Sequence, residues 1–318
     1  MRPRGNTKYE YRNTKRIRML DTRNDKNGEL LSPELLAKLE RMELVSRKIF
    51  RGRMKGERRS KRKGQSVEFA DFRNYVPGDD LRFIDWNTYA RLDKLFLKMF
   101  MEEEDLHFYA LVDSSPSMDF GEPTKFRYAQ QLAAALGFIG LVRGDRVKVL
   151  SMGESAENPA PALRGRHQLW RMLEYLQGLE PKEQFTLTDA AKSFCIRNSG
   201  KGIVVLITDL MDKTGYEQAL RYLMAQDFDI YLIHLLSVEE FEPEVQGDLR
   251  LIDCEDEDVA EVTVTAPLLK RYKRTLSAFI EQARDFCNRR GILYFPARND
   301  VDIDKLISGY LRQRGLVR

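Results

Sequence analysis

The chain has 318 residues, 42% of them hydrophobic and 32% charged, with a formal net charge of +4. That is enough apolar material for one large or two ordinary domains. No run reaches the roughly 18 to 20 apolar residues of a membrane-spanning helix, and the polar start Met1-Arg2-Pro3-Arg4 lacks the apolar core of a secretory leader. Cys195, Cys254 and Cys287 are far apart and odd in number, without zinc-ligand spacing, as expected of reduced thiols in a cytoplasmic protein. His107, His167 and His234 are equally scattered, which leaves a Ser-His-Asp triad little to draw on.

The charge is unevenly placed. Residues 1–18 carry seven basic side chains against Glu10, and residues 47–63 carry ten against Glu57. Such segments can attract nucleic acid, anionic lipid or an acidic protein; equally, they can be a solvated tail and loop, and aromatic side chains on which bases would stack are few. Residues 1–30 are expected to form a basic, flexible tail. Ser32-Pro33-Glu34 then opens a helix, with Ser32 as N-cap and Pro33 in the first helical position. Leu35, Leu36, Leu39, Met42 and Val45 continue its apolar stripe. Val67–Arg73 alternates as a half-buried strand does, and Tyr75–Asp80 is a turn centred on Pro77-Gly78. Leu81–Trp86 and Leu95–Phe100 complete a small β-rich subdomain, so that residues 31–105 hold the N-terminal helix and this unit. Glu102-Glu103-Glu104-Asp105 reads as a solvated linker.

From residue 106 to 318 strands and helices alternate. His107–Val112 is a strand. Phe126, Ala129, Leu132, Ala133, Leu136 and Ile139 share a helix face that Gly144 ends. Arg146–Met152 is a strand, Leu169, Leu173 and Leu176 mark a helix, and Ile203–Ile207 and Ile230–Leu235 are unbroken apolar runs, as in strands covered on both faces. Residues 247–265 look like an inserted hairpin, followed by a helix over 269–290, a strand over 292–295 and a closing helix over 303–311. The pattern predicts an α/β protein with a doubly wound parallel sheet.

Such sheets bind ligands outside the carboxyl ends of their strands. Three oxygen-rich groups are predicted there: Asp113, Ser115 and Ser117; then Thr186-Leu187-Thr188-Asp189 before a helix; then Thr208-Asp209, with Asp212 close behind. Carboxylates and hydroxyls without soft ligands suit Mg²⁺ or Mn²⁺. The plain alternative is that these side chains only cap loops and helices.

Asp-x-Ser-x-Ser after the first strand, a threonine on a later loop and an aspartate after a central strand resemble the metal-ion-dependent adhesion site of von Willebrand factor A domains, themselves Rossmann-like. The resemblance implies metal ligands Asp113, Ser115, Ser117, Thr188 (with Thr186 as the alternative) and Asp209. The segment from Phe69-Ala70-Asp71-Phe72-Arg73 through Pro77-Gly78-Asp79-Asp80 and Ile84-Asp85-Trp86 to Ala90-Arg91 is similar to the signature of the domain of unknown function 58 family. That family is mostly bacterial and archaeal, and its members are often encoded beside MoxR-type AAA+ ATPases. The resemblance implies a metal-dependent protein-interaction module, an adaptor or co-chaperone for such an ATPase, in which an acidic residue of the partner completes the metal's coordination. It implies no enzymatic activity. The alternatives are a Mg²⁺-dependent phosphoryl hydrolase, against which stands the lack of a phosphate-binding Gly-x-x-x-x-Gly-Lys loop, and a nucleic-acid or membrane-surface binder acting through 47–63. Arg73, Arg82 and Arg91, interspersed with Asp71, Asp79, Asp80 and Asp85, are expected to form ion pairs within the small unit.

Overall fold

The computed structural model describes residues 30–46, 68–101, 106–153, 160–181, 185–198, 201–254 and 259–318. The expected tail over 1–30, apart from Leu30, the basic segment 47–63 and the acidic linker 102–105 lie outside the described residues. The chain forms two compact units, Met1–Ser46 together with His107–Arg318, and Arg47–Leu106.

Helix α1 (Pro33–Leu39) starts as expected, with Ser32 Oγ accepting from the amide of Leu35 and Pro33 in the first turn. It stops at Leu39, short of the apolar stripe drawn to Val45. The chain instead extends over 43–45 and pairs with the C-terminus: Glu43 and Val45 amides donate to Arg318 and Leu316 carbonyls, and Leu44 bridges Val317. Leu39 and Leu44 are fully buried in the larger unit. This helix therefore groups with the larger unit rather than with the small one, whose C-terminal boundary at Leu106 lies within one residue of the expected division. Adjacency in sequence carried no information about which core would cover these leucines.

In the small unit, strand β1 (Glu68–Asn74) pairs antiparallel with β2 (Phe96–Met101). Between them Asp79 N donates to Val76 O across Pro77-Gly78, with Gly78 at φ +104°, a conformation that glycine adopts without strain. The strand expected over Leu81–Trp86 is instead a 3₁₀ turn (Leu81–Phe83) and the start of helix α2 (Trp86–Leu92). Two aspartates decide this. Asp80 accepts from the Arg82 amide, and Asp85 accepts from the Asn87 and Thr88 amides, so both carboxylates cap helical turns that an alternating pattern does not reveal. Ion pairs run within the unit as expected, Arg73 to Asp79 at 2.8 Å and Arg82 to Asp80 at 2.6 Å.

The larger unit is mixed α/β. Its strands are β3 (His107–Val112), β4 (Arg146–Ser151), β5 (Leu163–Arg164), β6 (Gly202–Thr208), β7 (Phe228–Leu236), the separate hairpin of β8 (Gly247–Ile252) with β9 (Val259–Val264), and β10 (Leu293–Arg298). The main sheet has six strands in the order β10-β7-β6-β3-β4-β5, all parallel except the short β5. Pro296, which cannot donate to a ladder, sits on edge strand β10, where its missing N–H is tolerated. Every residue of β6 and β7 is buried, which explains why these strands read as continuous apolar runs rather than alternating ones. Tyr109, Leu111, Val204 and Leu206 point into a cluster with residues of helices α5 (Leu187–Arg197), α6 (Glu217–Met224) and α8 (Ala266–Asn288). The alternate side chains Phe108, Ala110, Val112, Ile203 and Val205 are buried too. Helix α3 (Lys125–Val142), with fifteen buried residues, packs on β3 and β4. Helix α4 is Leu169–Gln177, α7 is Val238–Phe241 with a Ser237–Glu240 capping box, and α9 (Ile303–Lys305) continues into a π-helical stretch, Leu306–Leu311.

Ser46 Oγ donates to Asp229 at the N-terminal end of β7, and His107 begins β3. Only β6 separates those strands, so the two ends of the segment 47–106 meet the sheet about two strand spacings, roughly 10 Å, apart.

Candidate functional site

The strand following β3, β4, lies on one side of it, and the later strands β6, β7 and β10 lie on the other. Successive connections therefore leave the sheet in opposite directions at β3 and β6, which opens a crevice at their carboxyl ends. Asp113 follows β3, and Thr208-Asp209 ends β6. The Asp113 amide donates to Ile207 O at 3.0 Å, prolonging the ladder into the crevice.

The first expected group comes together. Asp113 is 2% exposed. Its Oδ1 accepts from the Ser115 amide at 2.9 Å, and its Oδ2 accepts from the Thr208 hydroxyl at 2.5 Å. The Ser115 and Ser117 hydroxyls lie 2.9 Å apart, whereas Ser114 turns to Ser151 at the end of β4. Burial, reinforced by the nearby Asp209 charge, pushes the Asp113 carboxyl up to about 6.

The third group is built differently from the expectation. Asp209 is 1% exposed, and its Oδ2 accepts from the Lys125 ammonium at 2.7 Å. Lys125, from the first turn of α3, also donates to Glu240 at 2.5 Å. Its burial acts to lower its pKa, but the two carboxylates outweigh that and hold the ammonium above the usual lysine range. Asp209 Oδ1 accepts from the Met211 amide, and its carbonyl accepts from His234 Nε2 at 3.1 Å. A carbonyl only accepts, so Nε2 carries the proton and Nδ1 accepts from Tyr294 Oη at 2.6 Å. Burial lowers His234 to about 4, leaving it neutral. Leu210 adopts φ +59°, unusual for a residue with a side chain, while its amide donates to Thr208 Oγ1.

In the second group Thr186 is the N-cap of α5. Its hydroxyl accepts from the Asp189 amide and donates to the Asp189 carboxylate. Thr188 lies half-buried in the first helical turn. Asp212 Oδ2 accepts from the Leu187 amide at 2.6 Å, and Asp212 joins Asp113, Ser115, Phe185 and Leu187 in lining a small pocket. Ser117 lines a larger neighbouring cleft with Phe120, Met211 and Glu240.

Thus Asp113, Ser115 and Ser117 converge, while Asp209 turns its carboxylate to Lys125. Sequence reasoning missed Lys125 and Glu240. The one local signal was a lysine at a helix start, where the dipole disfavours a cation. Among the described residues no group of three or more His, Cys, Asp or Glu could hold a metal. A hard cation here would lean on serine hydroxyls and water beside one carboxylate, a donor set that suits Mg²⁺ or Mn²⁺.

The fold and crevice define a mixed α/β protein with an oxygen-lined site at the reversal of strand order. The chain belongs to the DUF58 family, described as a protein of unknown function, whose profile matches residues 71–281. Uncharacterized proteins of Mycobacterium bovis and Mycobacterium tuberculosis are 27% identical over 256 residues, covering 79% of this chain and 80% of theirs. Among solved structures, the conserved hypothetical protein BatB of Bacteroides thetaiotaomicron matches 65% of this chain and 98% of its own, at 13% identity and a TM-score of 0.38. An aerotolerance-related membrane protein of Bacteroides fragilis matches 65% of this chain and 97% of its own, at 14% identity and a TM-score of 0.40. The membrane description above belongs to the Bacteroides fragilis protein, and the expected cytoplasmic location is withdrawn. The scattered cysteines that suggested it speak of redox state, not of distance from a membrane. No described helix is long and apolar enough to cross one.

Proposed function

We propose that this protein is a metal-dependent protein-interaction module of the von Willebrand factor A type, working as adaptor or co-chaperone to a MoxR-type AAA+ ATPase. The observation that carries the reading is the convergence of Asp113, Ser115 and Ser117 oxygens in the crevice where the strand order reverses. These residues would hold Mg²⁺ or Mn²⁺, with Thr188 or Thr186 and Asp209 completing the set by resemblance. A bound ion supplies an open coordination position for a carboxylate of the partner. The protein's own part is to fix the donors: Thr208 and the Ser115 amide orient the Asp113 carboxylate, and the buried strand ends keep it from reorganising. Choice of an ATPase as partner rests on the family resemblance alone.

The test is capture of the candidate ATPase by the full chain in Mg²⁺ and in EDTA, with Asp113→Ala alongside. Capture is expected in Mg²⁺, with a loss of tenfold or more, about 1.4 kcal/mol, on chelation or substitution. Equal capture by wild type in EDTA removes the metal from the reading.

A further inference from the structure

Lys125 is the feature of the crevice that the reading above leaves unused. Its side chain is 1% exposed, and its ammonium touches Asp209 Oδ2 at 2.7 Å and Glu240 Oε1 at 2.5 Å. An ammonium is a compact point charge with three donors, so it can occupy a place among carboxylate oxygens much as a small cation does. Here it takes the aspartate that follows β6, which the resemblance assigns to a metal.

We propose that Lys125 is a resident cation, and that a divalent ion enters the crevice by displacing the ammonium from Asp209 while Glu240 retains it. The inference rests on the metal-dependent reading and deepens it.

Charge and geometry both support an exchange. Without an ion, Lys125 faces two carboxylates, Asp209 and Glu240, while Asp113 stands beside them with neutral partners. With an ion, Asp113 and Asp209 together match a divalent charge, and Glu240 alone matches Lys125. Each cation then has its own anions, and no buried charge is left unmatched, the condition under which buried ions are tolerated. The ammonium has a place to stay. Glu240 is fixed by its own capping box, in which its Oε2 accepts from the Ser237 amide at 2.7 Å and its amide donates to Ser237 Oγ. The Phe120 ring lies 6.0 Å from the ammonium. Asp209 is equally prepared. Its backbone is pinned by His234 and its Oδ1 by the Met211 amide, so only the Oδ2 contact has to change.

The experiment titrates Mn²⁺ into the full chain by calorimetry, with folding of each variant checked by circular dichroism and cooperative thermal unfolding. Lys125→Met frees both carboxylates. Lys125→Met/Glu240→Gln frees Asp209 while keeping the formal charge of the cluster unchanged, and the glutamine oxygen can still accept in the capping box, so this variant covers a failure of the single substitution to fold. The expected result is Mn²⁺ affinity at least about tenfold above wild type in the double variant, because a competing cation has been removed. Adding Asp209→Asn should return it to the wild-type value or below. Wild-type binding matched by the double variant overturns the exchange and leaves the metal reading standing. Absence of binding in every variant overturns both. Binding only after Lys125 is removed supports the lysine as occupant and overturns metal-dependent function in the native chain.

Discussion

A lysine in the first turn of a helix works against the helix dipole, and a buried one also works against its own hydration. Lys125 is both, and it is held by Asp209 and Glu240, 84 and 115 residues away. Those separations are why the sequence did not show the pairing, whereas Asp113, Ser115 and Ser117 are close enough in the chain for their convergence to be read directly. Two other buried groups oppose each other in their response to pH. His234, lowered to about 4 from 6.5, is protonated more readily in the unfolded chain, so its contribution to stability is lost as pH falls from 6.5 towards 4. Asp113, raised to about 6 from 3.8, holds its proton more tightly when folded, so its contribution is greatest at low pH and is lost as pH rises through 6. Each contribution is at most about 3 kcal/mol. Between about pH 4 and 6 they partly cancel. Asp113→Asn should therefore lose stability more steeply than wild type on acidification over that window, as read from urea midpoints. Parallel curves for the two proteins would contradict the assignment.

At the level of elements, legibility followed the covering of each strand. The buried strands β6 and β7 were legible because covering on both faces fills them with apolar residues, despite His234 within β7, and the hairpin β8–β9 was legible from its alternation. The strand expected over Leu81–Trp86 failed because alternation of large and charged residues is shared by a strand and by two short capped turns, and the aspartate caps decide between them. Helix α1 was placed with the wrong unit because its leucines fit any apolar surface. Gly202, at the start of β6, was not read as a constraint. A Cβ there would lie 2.4 Å from the His107 carbonyl oxygen, so β3 and β6 approach too closely for any side chain. Gly202→Ala should cost about 1–3 kcal/mol in chemical denaturation by forcing the central pair apart. An unchanged midpoint would mean that the pair separates freely. Since Gly202 lies at the opposite end of β6 from Asp209, Mg²⁺-dependent capture by the folded fraction should persist.

For the molecule as a whole, the larger unit is assembled from two stretches of chain with the segment 47–106 between them. A flexible linker covering roughly 10 Å needs about four Gly/Ser residues. Replacing residues 47–106 by such a linker should leave one cooperative thermal transition and retain Asp113-dependent capture. Loss of cooperativity would show that the larger unit depends on the smaller for its fold. The position of the two junctions, Ser46 against β7 and His107 opening β3, also has a meaning for loop closure. Because closure entropy grows only with the logarithm of length, doubling or halving the intervening chain changes it by about 0.6 kcal/mol. The amino-terminal edge of the sheet is thus an insertion port, where segments of very different length can be accommodated at nearly constant stability while the carboxyl-terminal edge keeps its chemistry.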